Sequence, residues 1–253
     1  MARKVPLNVV ADYAKGINLL SERMQQELAE QLAKVDFTDF DTGKAEVMRL
    51  MQTYCGLSAS AAAQIGAEYY RIMRSYLSDV QDGFEPVADS GRVPEATDEA
   101  TKAILQKQVD GQTEEFVRQL LSRLDFETRR AGLDNTAINA ELDPQHPRLQ
   151  RVAQGFETCD FCLMLCSREP SNYRVMHVHA NCDCKLVPVY GTGWLYGYDY
   201  QAAYDRWQDA LYDKAADRAK RSGRTVEQEK QRIIGEYEAS AARNRRNARI
   251  RIR

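Results

Sequence analysis

The chain has 253 residues, with 35 Lys and Arg against 37 Asp and Glu, a formal charge of −2, and 28% charged residues overall. That length can bury one good core or two smaller ones, and the apolar content argues for folding rather than disorder. No window approaches eighteen apolar residues and the N-terminus lacks an unbroken apolar run, so neither a membrane span nor a secretion signal is expected, and synthesis belongs in a reducing cytoplasm.

In chain order, residues 8–34 carry Val9, Tyr13, Ile17, Leu20, Met24, Leu28 and Leu32 at three- and four-residue steps, which predicts a helix. Residues 37–43 form a loop, with Asp41 or Thr42 as N-cap of a second helix bearing Val47, Leu50, Met51 and Tyr54 and stopping at Cys55-Gly56. Ser58 caps a third helix, whose alanine-rich face includes Ile65, Tyr69, Ile72 and Met73. The run DGFEPVADSGRVPEA (82–96) is a breaker. Helical periodicity resumes from Thr97 to Leu124, and a further helix runs from Phe126 to Leu142, ending at Asp143-Pro-Gln-His-Pro147. Nothing in this half points to chemistry: Tyr69 and Tyr70 sit at core spacing, Cys55 is a small residue at a helix end, and His146 is a solvent-facing loop histidine.

The character changes near residue 150. Residues 159–184, CDFCLMLCSREPSNYRVMHVHANCDC, hold five of the six cysteines and two of the three histidines. Cys159 and Cys162 are spaced C-x2-C; His179, Cys182 and Cys184 follow as H-x2-C-x-C. Two short chelating turns joined by a loop of this length predict a structural Zn2+ site. Cys159 and Cys162 supply two ligands, and two of His179, Cys182 and Cys184 complete the shell. The preferred set takes His179 with one of the two cysteines, and a four-thiolate set is the alternative. Cys166 reads as a helical core residue, and His177 as facing away or supporting a ligand. A metal clamped between the turns would fix a segment that lacks a core of its own. A redox C-x2-C expects a βαβ context that is missing here, and a deaminase-type zinc expects a Glu next to the histidine ligand that is also missing.

The stretch from Cys182 to Tyr190 reads as a strand, with Leu186 and Pro188 on one side and Val187 and Val189 on the other. Pro188 places it at a sheet edge or bulge. Residues 200–221 form another helix, and Thr225 caps a last one reaching into the 240s, with Gln228 placed for a capping box. The final fourteen residues carry Arg243, Arg245, Arg246, Arg249, Arg251 and Arg253 and no acid; the rest of the chain holds 29 basic against 37 acidic residues, a balance of −8. A cationic arm on an acidic body suits a polyanion or an acidic protein surface. Its alternating Arg and Ile also suit a strand edge, and a frayed solvated terminus is the plain alternative.

The fold class expected is therefore mainly α: an N-terminal helical bundle or long hairpins (1–145), a small zinc-stabilised α+β module (146–195), C-terminal helices (196–239) and a basic tail (240–253). The segments RVAQGFETCDFCLMLCSR (151–168), HANCDC (179–184) and VPV (187–189) resemble the Mu F-like minor head proteins of tailed bacteriophages, in the branch found in phages of actinobacteria. The likeness covers residues 145–210; Cys166 stands where that family usually has a small residue, and Glu169 where glycine is common. The resemblance implies a non-enzymatic minor capsid (head-morphogenesis) protein in the virion head, with portal and capsid proteins as partners and packaged double-stranded DNA a candidate contact for the tail. A zinc-dependent hydrolase or nucleic-acid-modifying enzyme, and a stand-alone zinc-knuckle nucleic-acid-binding protein, are the rival readings.

Overall fold

The computed structural model describes residues 3–154, 158–171, 183–191 and 193–251, with backbone alone at 241 and 243–251. Among these residues the chain is mainly α, with seven helices and one two-stranded sheet. Helix α1 (Leu7–Leu32) matches its predicted span, although Val10 rather than Val9 is the fully buried valine. Helix α2 (Phe40–Leu77) is one continuous rod. The expected stop at Cys55-Gly56 does not occur: Cys55 is fully buried, and core packing offsets the roughly 1 kcal/mol that glycine costs inside a helix. The cap is Asp39, not Asp41 or Thr42; its carboxylate accepts from the Asp41 N–H and the Thr42 hydroxyl.

The next two helices divide differently from the prediction. Helix α3 (Pro94–Val109) ends at a turn where Gly111 takes φ +71°, and α4 (Thr113–Leu142) then runs unbroken past Asp125. The predicted boundary near residue 125 falls instead on a buried polar face of α4. Asp125, Glu127, Arg130, Asp134, Asn135 and Asn139 are all buried. Asp125 accepts from Ser21 of α1 and from Arg129, and Glu127 from Arg123 and Thr97; the other four face the segment before α3. The segment between α2 and α3 has no regular structure and lies along α4, so its backbone needs donors and acceptors from side chains. Asn139 Oδ1 accepts from Val87 N–H at 2.8 Å, and Asn135 Nδ2 donates to the carbonyls of Val87 and Asp89 at 2.7 and 3.0 Å. Arg130 reaches the Gly91 carbonyl. The predicted breaker is thus a strap tied to the bundle.

Two apolar cores run through the bundle. At one end Leu28, Met51, Cys55, Leu105, Leu120 and Leu124 bring α1 to α4 together. At the other, Val10, Ile17, Ala62 and Met73 meet Val187 and Val189 of the sheet. That sheet pairs β1 (Arg148–Val152) antiparallel with β2 (Lys185–Val189). All five β2 residues are buried rather than alternating, because α2 and α4 cover it as well as β1. Pro188 sits opposite Leu149, whose N–H and C=O both bond Ser171 at 2.9 Å. No donor is asked of that position, which is how an antiparallel pair accommodates proline.

After α5 (Asp160–Cys166) and β2 come α6 (Tyr200–Ser222) and α7 (Val226–Arg251). The expected capping box is present: Thr225 N–H donates to Gln228 Oε1 at 3.0 Å, and Gln228 N–H to Thr225 Oγ1 at 3.2 Å. The strand-edge alternative for the arginine tail fails, since its backbone is helical through Arg251. No helix of the described residues is long and apolar enough to cross a membrane.

Candidate metal centre

The cysteine segment is built at the junction of α5, β1 and β2. Cys159 is the N-cap of α5, and its sulfur accepts the Cys162 N–H at 3.4 Å. The turn therefore brings both side chains of the C-x2-C pair to the same helix end. From the other direction β2 delivers Cys184, whose Sγ lies 3.6 Å from Cys162 Sγ, both residues being fully buried. Two thiolates sharing one tetrahedral zinc at ~2.3 Å bonds stand about 3.8 Å apart, so this pair fits. Cys166, expected to be a core residue, is buried in the same cluster, together with Ala203.

Side chains that the spacing did not reveal hold this arrangement. Arg151 on β1 is buried and donates from Nη1 to Cys184 Sγ at 2.8 Å, placing a fixed positive charge against one sulfur. Thr158 donates its hydroxyl to Asp183, which ties the residue before Cys159 to the residue before Cys184. Gln150 bonds the Cys166 carbonyl at 3.1 Å and so joins the C-terminal end of α5 to β1. A buried arginine or glutamine on a short strand carries no sequence signature; each acquires its role only when β1 and β2 pair.

The expectation that this segment lacks a core does not hold. Phe161 and Met164 of α5 pack on Leu211, Ala215, Ile233 and Tyr237 of α6 and α7, with the Phe161 and Tyr237 rings edge to face at 5.4 Å. Asp160 adds an ionic tie, receiving Lys214 Nζ at 2.6 Å and the Tyr237 hydroxyl. Burial would raise the Asp160 carboxyl, but Lys214 and Tyr237 outweigh it and hold it below the usual carboxylate value.

Of the predicted ligands, Cys162 and Cys184 approach each other and Cys159 packs against that pair, while His179 and Cys182, together with His177, lie outside the described residues. Among the described residues no group of three or more His, Cys, Asp or Glu side chains is arranged to hold a metal ion. Arg243, Arg245, Arg246, Arg249 and Arg251 lie on α7 with backbone alone described, and Arg253 lies beyond it.

The residues set aside as structural are so placed. Tyr69 donates to the Leu186 carbonyl at 2.9 Å and Tyr70 to Asp143 at 3.0 Å, both rings buried. His146 is exposed in the turn after α4.

A family model, that of the VG15 protein, matches residues 4–210. The chain belongs to the VG15 protein family. This is a phage-associated family, and the VG15 span takes in the four-helix bundle, both strands, the cysteine cluster and the first half of α6, stopping before α7. Comparison with curated proteins and with solved structures found no match.

Proposed function

We propose that this member of the family is a minor head protein of the Mu F-like type, a structural, non-enzymatic component held inside the phage head at the portal. The observation that carries this reading is the family match over residues 4–210, which spans both the bundle and the cysteine segment. The rods α1, α2 and α4 supply long surfaces for assembly, and the buried polar network between the strap and α4 fixes their shape. Cys159, Cys162 and Cys184, with His179 or Cys182 as fourth ligand, would hold one structural zinc. Such an ion would cross-link α5 and β2, with Arg151 at Cys184 Sγ offsetting thiolate charge. The tail arginines then meet packaged DNA through its phosphates.

Immunogold labelling of heads, intact and opened, tests the assignment. Label that appears only in opened heads, clustered at one vertex, is the expected result. Protein recovered solely from host lysate, with none in purified heads, overturns it. The enzymatic reading is tested on the same preparation: purified protein that hydrolyses nucleic acid or peptide in proportion to its zinc content would replace the structural one.

A further inference from the structure

The loop from Gly191 to Tyr200 is not absorbed by the metal centre. It places Trp194, Tyr196, Tyr198 and Tyr200 within seven residues. Two of them are used internally: Tyr200 receives the Leu195 N–H at 2.5 Å, and Tyr198 receives that of Ala153. The other two are not. Trp194 is 47% exposed and Tyr196 60% exposed, both on the rim of a hollow of about 400 Å³.

The exposure is built rather than frayed. Val5 N–H donates to the Tyr196 carbonyl at 2.9 Å, and Arg148 Nη2 donates to the Gly193 carbonyl at 2.7 Å. Trp194 rests edge to face on Tyr200 at 4.1 Å. A loop so tied presents two large rings at little entropic cost on binding. Three basic side chains touch the loop or the hollow, and Arg3 also donates to the Ser75 and Tyr76 carbonyls. Arg3 lines the hollow, Lys4 is exposed with its stem against Gly197, and Arg148 braces the loop from below. Asp79 is the one carboxylate among the lining residues, in an exposed pair with Arg3 that holds weakly against water.

Exposed aromatic faces beside cations are the elements that grip unpaired nucleic acid: bases stack on the rings and phosphates meet the charges. We propose that the Trp194–Tyr196 hollow binds single-stranded nucleic acid, with a base stacked on these rings and phosphates at Arg3, which lines it, and at Lys4 beside the loop. This site is separate from the arginine tail, which carries no aromatic residue and suits phosphates alone.

The test uses the full chain with Trp207→Phe, which leaves Trp194 as the one remaining tryptophan of two. Titration with a deoxythymidine oligomer of about 12 nucleotides is expected to quench its emission, less so as salt rises. Tyr196→Ala, a change at an exposed side chain, is expected to weaken binding by about tenfold or more, and Lys4→Gln to lower the salt dependence. A chain whose six tail arginines are replaced by glutamine keeps the quenching. Absence of quenching, equal quenching by a duplex of the same length, or quenching that ignores Tyr196→Ala and disappears with the tail arginines overturns the proposal.

Discussion

Asp143 is fully buried at the end of α4, where Arg74 meets it through Nε at 2.8 Å and the hydroxyls of Tyr70 and Tyr190 each donate to Oδ2 at 3.0 Å. Arg74 also pairs with Asp82 at 2.7 Å, so one guanidinium joins α2, the strap and α4. Burial would raise the Asp143 carboxyl, yet Arg74 and the other donors hold it below its ordinary 3.8. Because its folded value is depressed, the stabilisation is complete above about pH 4 and is lost as pH falls through the folded value. Asp143→Asn is therefore expected to cost about 3 kcal/mol at pH 7 by leaving Arg74 under-compensated, and to flatten the acid limb of the stability curve; urea unfolding at several pH values measures both. Cys55 makes the opposite case. Burial pushes its thiol up to about 12, so it stays protonated and should resist maleimide at pH 8 until the chain unfolds. Neither environment shows in the sequence, where Asp143 is a loop residue before proline and Cys55 a helix end. The capping box at Thr225 and Gln228 was legible because it needs only its own four residues.

At the scale of elements, glycines separate packing from propensity. Gly66 on α2 faces α4 so closely that a Cβ would stand 2.9 Å from Asn135 Oδ1 and 3.1 Å from Asn135 Cβ. Asn135 cannot yield without releasing the strap. Gly66→Ala is expected to destabilise by about 1–3 kcal/mol, although alanine is the better helix former by ~1 kcal/mol. Gly235 on α7 has nothing within 4 Å of its Cβ position, and Gly235→Ala should stabilise by about 0.5–1 kcal/mol. Thermal melts of the two variants should move in opposite directions. The same contrast explains which elements the sequence disclosed. Helix α1 has one apolar stripe and was readable from end to end. Helix α4 hides polar side chains against α1 at Asp125 and against the strap at Asn135 and Asn139, so apolar periodicity does not mark it as one helix, and the Asp110-Gly111 turn lies inside a pattern that reads as continuous. Strand β1 has no readable alternation, because Gln150 and Arg151 are buried for their hydrogen bonds.

At the scale of the whole molecule, two assemblies meet at the sheet: a bundle of α1–α4 with its own cores, and α5 packed on α6 and α7. The sulfurs stand where these meet, between α5 and β2. With a zinc bound as proposed, chelation is expected to expose the cysteine thiols to reagents and loosen α5 while the bundle keeps its helical signal, because the bundle cores contain none of the proposed ligands. Arg151→Met should weaken metal affinity about 10- to 100-fold without changing the ligand count. The measurement that bears most directly on the metal-tied account is the zinc content and zinc K-edge absorption of the purified full-length chain, alongside Cys162→Ser, Cys184→Ser and Cys166→Ser. One zinc per chain in a four-coordinate, sulfur-rich shell, lost in the first two variants and kept in the third, is the predicted result. A chain that purifies without metal under reducing conditions and takes up none when zinc is supplied would contradict it.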